Sequence, residues 1–267
     1  MTWSIHGVGL AAHDLPLSAT FFQTLLGLGS ARPLGPDAIG FGGDTTRMRL
    51  TRPARDLRLH GSQLNGPIGA RHLAIAVQDL GAVVARLDRA TLAHVPADPD
   101  RFGAPAVFTQ DPACNVVAFV QRGAAATAPS ADWTIHHVNL EAPDVREAVG
   151  FYVEIAGMAE GRWRAPAERG DFSIDPAALA VLPLGDDNSG LHIIRADPGF
   201  ALRNGFAHNP SIGGHPAFCV PDVRAVKRRL EEAGHLVSDA GVYAMAGMHQ
   251  IYVFDPMTNM IEVNQVV

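Results

Sequence analysis

Two strand-like runs carrying histidines and a third carrying a carboxylate hold the residues of this chain best suited to joint chemistry. Ile135-His136-His137-Val138-Asn139-Leu140 reads as a strand, and so does Gly213-Gly214-His215-Pro216-Ala217-Phe218-Cys219-Val220. Near the carboxy end, residues 251–254 and 260–264 read as two short strands joined by a turn built on Asp255-Pro256 and Asn259. Glu262 lies between Ile261 and Val263, and a carboxylate inside an apolar strand is costly unless something pairs with it. Met260, Glu262 and Asn264 share one face of that strand. With His137, His215 and Glu262 all facing the inside of one sheet, two imidazoles and one carboxylate would form a facial triad with open positions. That is the donor set expected of non-haem Fe(II). Alone, each of these residues has a plainer reading, as a hydrogen-bonded core histidine or a solvated strand glutamate.

The elements that position these residues recur along the chain. Gly69 to Asp79 parallels Ile212 to Asp222, and Asp111-Pro112-Ala113-Cys114-Asn115 parallels Asp255 to Asn259. Near the start, Ile5-His6-Gly7-Val8-Gly9-Leu10 parallels Ile135 to Leu140 at a separation of 130 residues, whereas Asp79 and Asp222 stand 143 apart. The wider spacing predicts an insertion between Asp144 and His215, in a region where Asp171 to Pro210 should border a cleft entrance. Strands over 4–11, 71–78, 134–141 and 214–220 each lead into a helix with an aspartate at its start: Asp14, Asp79, Asp144 and Asp222. In the last helix Val223, Val226, Leu230 and Ala233 recur at helical spacing before Gly234 stops it. In the helix after Asp144 the buried line is Val145, Ala148, Tyr152 and Ile155, with Gly157 as its stop. The unit is one strand, one helix and about three strands, four times over. The fold class is α+β: four βαβββ units paired into two domains, each a curved mixed sheet around a cleft with helices outside. Gly123 to Ala131 is small, uncharged and aperiodic, so residues 1–122 form the amino-terminal domain and 132–267 the carboxy-terminal one.

Composition sets the outer limits. A chain of 267 residues with 47% hydrophobic and 18% charged residues suits a globular protein with a proper core. The net charge of −6 gives no reason to expect nucleic acid or an anionic membrane as partner. No apolar run is long enough to span a bilayer, and no signal segment opens the chain. The two cysteines, Cys114 and Cys219, make no disulfide framework. They read as buried packing residues in a reduced, cytoplasmic protein.

At its chemistry-bearing residues the chain resembles the vicinal oxygen chelate superfamily: glyoxalases, bleomycin-resistance proteins and type I extradiol ring-cleavage dioxygenases. The motifs that carry the resemblance are His137-Val138-Asn139-Leu140 with Asp144 and Phe151-Tyr152, His215-Pro216-Ala217-Phe218 with Asp222, and Asp255-Pro256 through Asn259 to Glu262. The family motif sets the metal ligand directly before Val-Asn-Leu, which selects His137 over His136. Adjacent strand residues face opposite sides, so His136 should face the helices. In the first half the slots matching His137, His215 and Glu262 hold Gly7, His72 and Ala118, so that half should bind no ion. One blank half followed by one complete half resembles the extradiol dioxygenases.

The resemblance implies further roles. Tyr252, ten residues before Glu262, stands where the family's catalytic tyrosine does, and Asn139 could contact substrate. There are departures too: Tyr243 replaces one dioxygenase histidine, and the slot of the acid–base histidine falls near Phe200-Ala201. His208 and His192 are the nearby candidates for that proton transfer, His208 first; His249 lies on the wrong parity relative to Tyr252. The resemblance implies an Fe(II) enzyme, with Mn, Zn or Ni as alternatives, that cleaves a catechol-like aromatic with vicinal oxygens, in a homo-oligomer. A glyoxalase-like isomerase or lyase using the same ligands, and a metal-free small-molecule binder, are the other readings.

Overall fold

Strand-forming runs and aspartate-capped helices alternate along the chain in a computed structural model that describes residues 3–43, 46–53, 72–122, 132–168 and 170–267. The linker 123–131 and the repeat segment Gly69-Ala70-Arg71 lie outside the described residues. The first half comprises β1 (Trp3–Ala11), α1 (Leu15–Thr20) running into a π-helical turn (Phe21–Leu25), β2 (Arg32–Gly35), β3 (Ala38–Phe41) and β4 (Met48–Thr51). It continues with β5 (His72–Val77), α2 (Leu80–Arg89), β6 (His94–Pro96), the single turn α3 (Pro99–Phe102), β7 (Ala106–Gln110) and β8 (Val116–Gln121). The second half has β9 (Thr134–Glu141), α4 (Val145–Ala156), β10 (Leu179–Pro183), β11 (Gly190–Ile194) and α5 (Phe200–Asn204). It ends with β12 (His215–Cys219), α6 (Val223–Glu232), β13 (Ser238–Gly241), β14 (Met248–Phe254) and β15 (Met260–Val266).

The strands form two mixed sheets, ordered β2-β3-β4-β1-β5-β8-β7-β6 and β10-β11-β9-β12-β15-β14-β13. In each, the opening strands of two units pair antiparallel at the centre, β1 with β5 and β9 with β12. Each opening strand also pairs parallel with the strand that closes its own unit. A parallel pair needs a crossover, and the capped helix supplies it.

The caps are the predicted ones. Asp14 accepts from Leu17 N, Asp79 from Ala82 N and Asp222 from Ala225 N at 2.8–2.9 Å. Asp144 accepts from both Arg146 N (2.9 Å) and Glu147 N (3.0 Å). Asp144→Ala removes both bonds. It is expected to lower stability by about 1 kcal/mol, read as a shifted urea midpoint at unchanged slope.

One unit departs from the repeat. Among the described residues only two strands, β10 and β11, follow α4, because residues 160–168 form no strand; Gly161 N alone reaches the sheet, donating to Val181 O of β10 at 2.9 Å. Asn188 takes the backbone groups a neighbouring strand would use: its side chain accepts from Arg164 N and donates to Arg164 O, both at 2.9 Å. Pro166, two residues on, has no N–H to give a ladder. The segment is also pinned by Trp163 Nε1, which donates to Ala244 O at 2.9 Å.

The halves share one continuous core that includes Phe22, Phe119, Tyr152 and Phe218. The helices of each sheet lie on the face away from its cleft and pack on those of the other half, α2 on α4 and α6 on the π-helical turn. The two Asp-Pro turns stitch the halves reciprocally. Asn115, bound to Asp111, donates to Glu141 O at the end of β9 (3.2 Å), and Asn259, bound to Asp255, donates to Ala11 O at the end of β1 (3.0 Å). Tyr152 Oη donates to Asp111 across the same boundary at 3.0 Å.

Two expectations fail here. Cys114 is exposed, since it sits in the turn with φ +64°, and Cys219 is only half-buried. His136 does not face the helices: the β9–β12 register steps from Ile135↔Phe218 to His137↔Ala217, so His136 is the extra residue of a β-bulge. Parity fails at a bulge because two residues of one strand face one residue of the other. Among the described residues no helix is long and apolar enough to cross a membrane.

Candidate metal centre

Four neighbouring strands of the second sheet turn polar side chains onto one inner surface. In register, His137 of β9 lies opposite Ala217 of β12, and Ala217 opposite Glu262 of β15. His215 lies opposite Asn139, and Tyr252 and Gln250 of β14 lie opposite Glu262 and Asn264. Gly214 sets His215 in place: its φ is +64°, and a Cβ there would come within 2.7 Å of Asn139 O, so only glycine fits.

The three sequence-predicted ligand positions converge. His137 Nε2 is 3.3 Å and His215 Nε2 is 3.2 Å from Glu262 Oε2, and one donor atom from each residue lies within 4.8 Å of the others. Two donors bound at about 2.1 Å to one ion, at angles between a right angle and the tetrahedral one, lie about 3.0–3.4 Å apart. The donor set therefore fits a single divalent cation.

The carboxylate is divided between two tasks. Glu262 Oε1 accepts from Gln250 Nε2 (3.0 Å) and Asn264 Nδ2 (3.2 Å), which leaves Oε2 to the imidazoles. Burial would push this carboxyl up, but the charge and hydrogen bonds of His137 and His215 outweigh it and hold Glu262 well below the usual range. Tyr252 is fully buried. Burial and the neighbouring Glu262 charge raise its hydroxyl well above the ordinary phenol, so it stays protonated. Its oxygen accepts from Gln250 Nε2 at 3.1 Å.

A cavity of about 270 Å³ opens onto this cluster. Its walls include Trp163, Phe172, Phe200 and Tyr243 as well as Asn139 and Tyr252. Trp163, Phe172 and Phe200 fall within the span where the insertion was expected, whereas Tyr243 comes from the turn between β13 and β14. Asn139 Oδ1 is buried and makes no hydrogen bond among the described residues, which leaves an acceptor on the wall of the cavity.

The two histidine candidates for proton transfer separate cleanly. His208 does not line the cavity; its Nδ1 is 2.8 Å from Ser238 Oγ and its ring packs on Phe254. His192 does line it, stacked on His137 with ring centroids 3.9 Å apart. Burial and the nearby His137 hold His192 well below its ordinary value, so it is neutral, and its Nε2 lies 2.6 Å from Asn188 O. Nε2 then carries the hydrogen and Nδ1 the lone pair. His249 bonds Asp239 at 2.8 Å, outside the cluster. Sequence reasoning passed over Gln250, although it shares strand parity with Tyr252, and over Asp187 and Asn188, which carry no strand signal at all.

The first sheet has the same ladder with different residues. Gly7 lies opposite Ala74, Ala74 opposite Ala118, and His72 opposite Gly9. A Cβ at Gly7 would sit 2.4 Å from Arg47 O, so no ligand side chain fits there. The Arg101 guanidinium occupies this cleft, 5.0 Å from the Phe108 ring centroid, and is pushed down to about 10 by burial and by Arg49.

Solved structures align over nearly the whole chain. A halotolerant catechol dioxygenase matches with a TM-score of 0.68 at 17% identity, covering 98% of this chain and 86% of that one. The Mn(II)-bound glyoxalase of Novosphingobium aromaticivorans matches at 0.64 and 17%, covering 98% and 81%. The 2,2',3-trihydroxybiphenyl 1,2-dioxygenase of Sphingomonas wittichii matches at 0.66 and 13%, covering 99% and 92%. This chain has the fold that these dioxygenases and the glyoxalase share. At these identities the likeness is one of fold, and extradiol dioxygenases and a glyoxalase share it. No family model matches the chain, and no curated protein does.

Proposed function

We propose that the chain is a mononuclear metal-dependent enzyme, an extradiol-type dioxygenase acting on a catechol-like aromatic, with residues 132–267 as its catalytic domain and 1–122 as a half without a metal site. The observation that carries the reading is the convergence of His137, His215 and Glu262 on one point at the floor of a cavity with aromatic walls. Those three residues would hold Fe(II), which supplies a Lewis acid and a template for vicinal oxygens. Trp163, Phe172 and Tyr243 would sandwich a flat ring and exclude water. Tyr252 Oη, kept protonated, would donate to a substrate oxygen, and Asn139 Oδ1 would accept from a substrate hydroxyl. His208 is out of place for proton transfer; His192, which lines the cavity and keeps Nδ1 unprotonated, would take up that role.

The test is anaerobic iron loading followed by a panel of catechols. Oxygen uptake with a yellow ring-cleavage product on admitting air is expected. No uptake across the panel would reject ring cleavage.

One observation favours a second reading, a glyoxalase-like isomerase or lyase. Among the described residues lining the cavity, the histidines other than His137 and His215 reduce to His192, whose Nε2 is already bound to a carbonyl. Zn, Mn or Ni bound in freshly isolated protein, with turnover independent of oxygen, would select it.

A further inference from the structure

Behind the His137 position stands a second imidazole, and behind that a carboxylate. The bulge in β9 places His136 beside His137 rather than across the sheet, with their Nδ1 atoms 2.9 Å apart. On the far side of the ring, His136 Nε2 is 3.5 Å from Asp187 Oδ2. Asp187 is held by its own turn, since its Oδ1 accepts from Ser189 N at 3.0 Å. Both imidazoles are buried, whereas Asp187 is more than half exposed on the β10–β11 hairpin.

Hydrogen placement follows from these contacts. Two ring nitrogens at this separation share one hydrogen, so one donates and the other accepts. His137 Nε2 faces Glu262 and the cavity; to offer a lone pair there, His137 must carry its hydrogen on Nδ1 and donate it to His136. His136 then carries its own hydrogen on Nε2, the nitrogen on the Asp187 side, where the 3.5 Å separation is that of an ion pair and not of a formed hydrogen bond. The opposite arrangement would turn a lone pair of His136 onto a carboxylate oxygen. With a cation held between His137 Nε2 and Glu262 Oε2, only the first arrangement is favourable at both ends of the chain of contacts.

We propose that His136 and Asp187 are positioning residues that fix His137 in the tautomer able to ligate a metal. The proposal rests on the reading of His137, His215 and Glu262 as a cation site. A ligating histidine commonly hands its second N–H to a carboxylate or carbonyl, and such outer partners change metal affinity by about 10–100-fold. Here an imidazole is interposed between ligand and carboxylate. The first sheet provides an internal contrast. Its bulge falls at the same place, between Ile5 and Gly7, but His6 there has no ligand beside it and packs edge-on against Phe102. The bulge thus belongs to the fold, and the contacts through His136 belong to the metal-ready half.

The experiment is Co(II) binding to metal-free protein, followed by the visible ligand-field band and by competition with a chromogenic chelator. His136→Leu is expected to weaken Co(II) about 10–100-fold and to alter the band. Asp187→Asn, a change at a largely exposed residue, should weaken it less but in the same direction. His136→Asn, whose Oδ1 can stand where the ring Nδ1 accepted, should recover most of the loss. Parental affinity in both His136→Leu and Asp187→Asn overturns the proposal. So does a loss in His136→Leu that His136→Asn fails to recover while Asp187→Asn stays parental, since that pattern marks packing alone. Failure of the underlying cation site shows elsewhere: the unmutated protein takes up no Co(II), or uptake survives Glu262→Ala, and the proposal falls with it.

Discussion

Glu262→Gln is expected to weaken divalent-metal binding by more than about 100-fold, beyond the range of an outer-partner change, while the metal-free protein keeps its fold. The substitution preserves volume. The amide oxygen can still accept from Gln250 and Asn264, which now bond Oε1, and the amide nitrogen can donate to the imidazoles that now face Oε2. What disappears is the one anionic donor, and two neutral imidazoles make a poor cage where three protein ligands are usual. Calorimetric titration with Zn(II) measures the affinity, and circular dichroism of the metal-free protein checks the fold. Glu262→Ala should show the same loss together with instability. It leaves the Gln250 and Asn264 amides buried without their acceptor, at a cost of about 1–3 kcal/mol for each unsatisfied group. Unchanged affinity in Glu262→Gln would remove the cation site.

The convergence of His137, His215 and Glu262 was legible because strand parity and turn chemistry act over a few residues. Glu262 interrupts an apolar run, His215 follows a glycine pair, and Tyr252 sits one turn upstream of Glu262; each signal is local. The ladders then join residues whose separation no local rule encodes, such as Ala217 with Glu262. The capping aspartates were legible for the same reason, each bond reaching no further than three residues.

The misreadings arose where an exception to periodicity or a distant partner decides. His136 was set on the wrong face because an alternation of two cannot register a bulge. Cys114 reads as a buried packing residue but occupies an exposed, left-handed turn position. Among the described residues no third strand follows α4, where the Asn188 side chain, from 24 residues along the chain, takes the Arg164 backbone groups. His208 and His192 could not be told apart from order alone. One follows a short helix and the other lies in a strand paired to β9, and only that pairing brings a ring against His137.

Phe218→Ala is expected to cost about 3–5 kcal/mol, and the loss should fall on both halves at once. Phe218 is fully buried and neighbours Ala217 in β12, so it points away from the metal cluster and into the shared core. There it meets the Phe22 ring of the first half at 6.4 Å and the Trp133 ring at 5.5 Å, both edge-on. Trp133 in turn donates to Leu28 O at 2.9 Å. A cavity at this point removes contacts on each side of the boundary, and the reciprocal Asn115 and Asn259 bonds couple what remains. Urea unfolding followed in parallel by tryptophan fluorescence and far-ultraviolet circular dichroism should therefore give one coincident transition at a lower midpoint. Metal affinity measured below that midpoint should match the parent, because no ligand or partner of a ligand has been touched. Two separated transitions would mean that the halves are held by their own sheets alone. The core running through Phe22, Trp133 and Phe218 would then contribute far less to the whole than its burial implies.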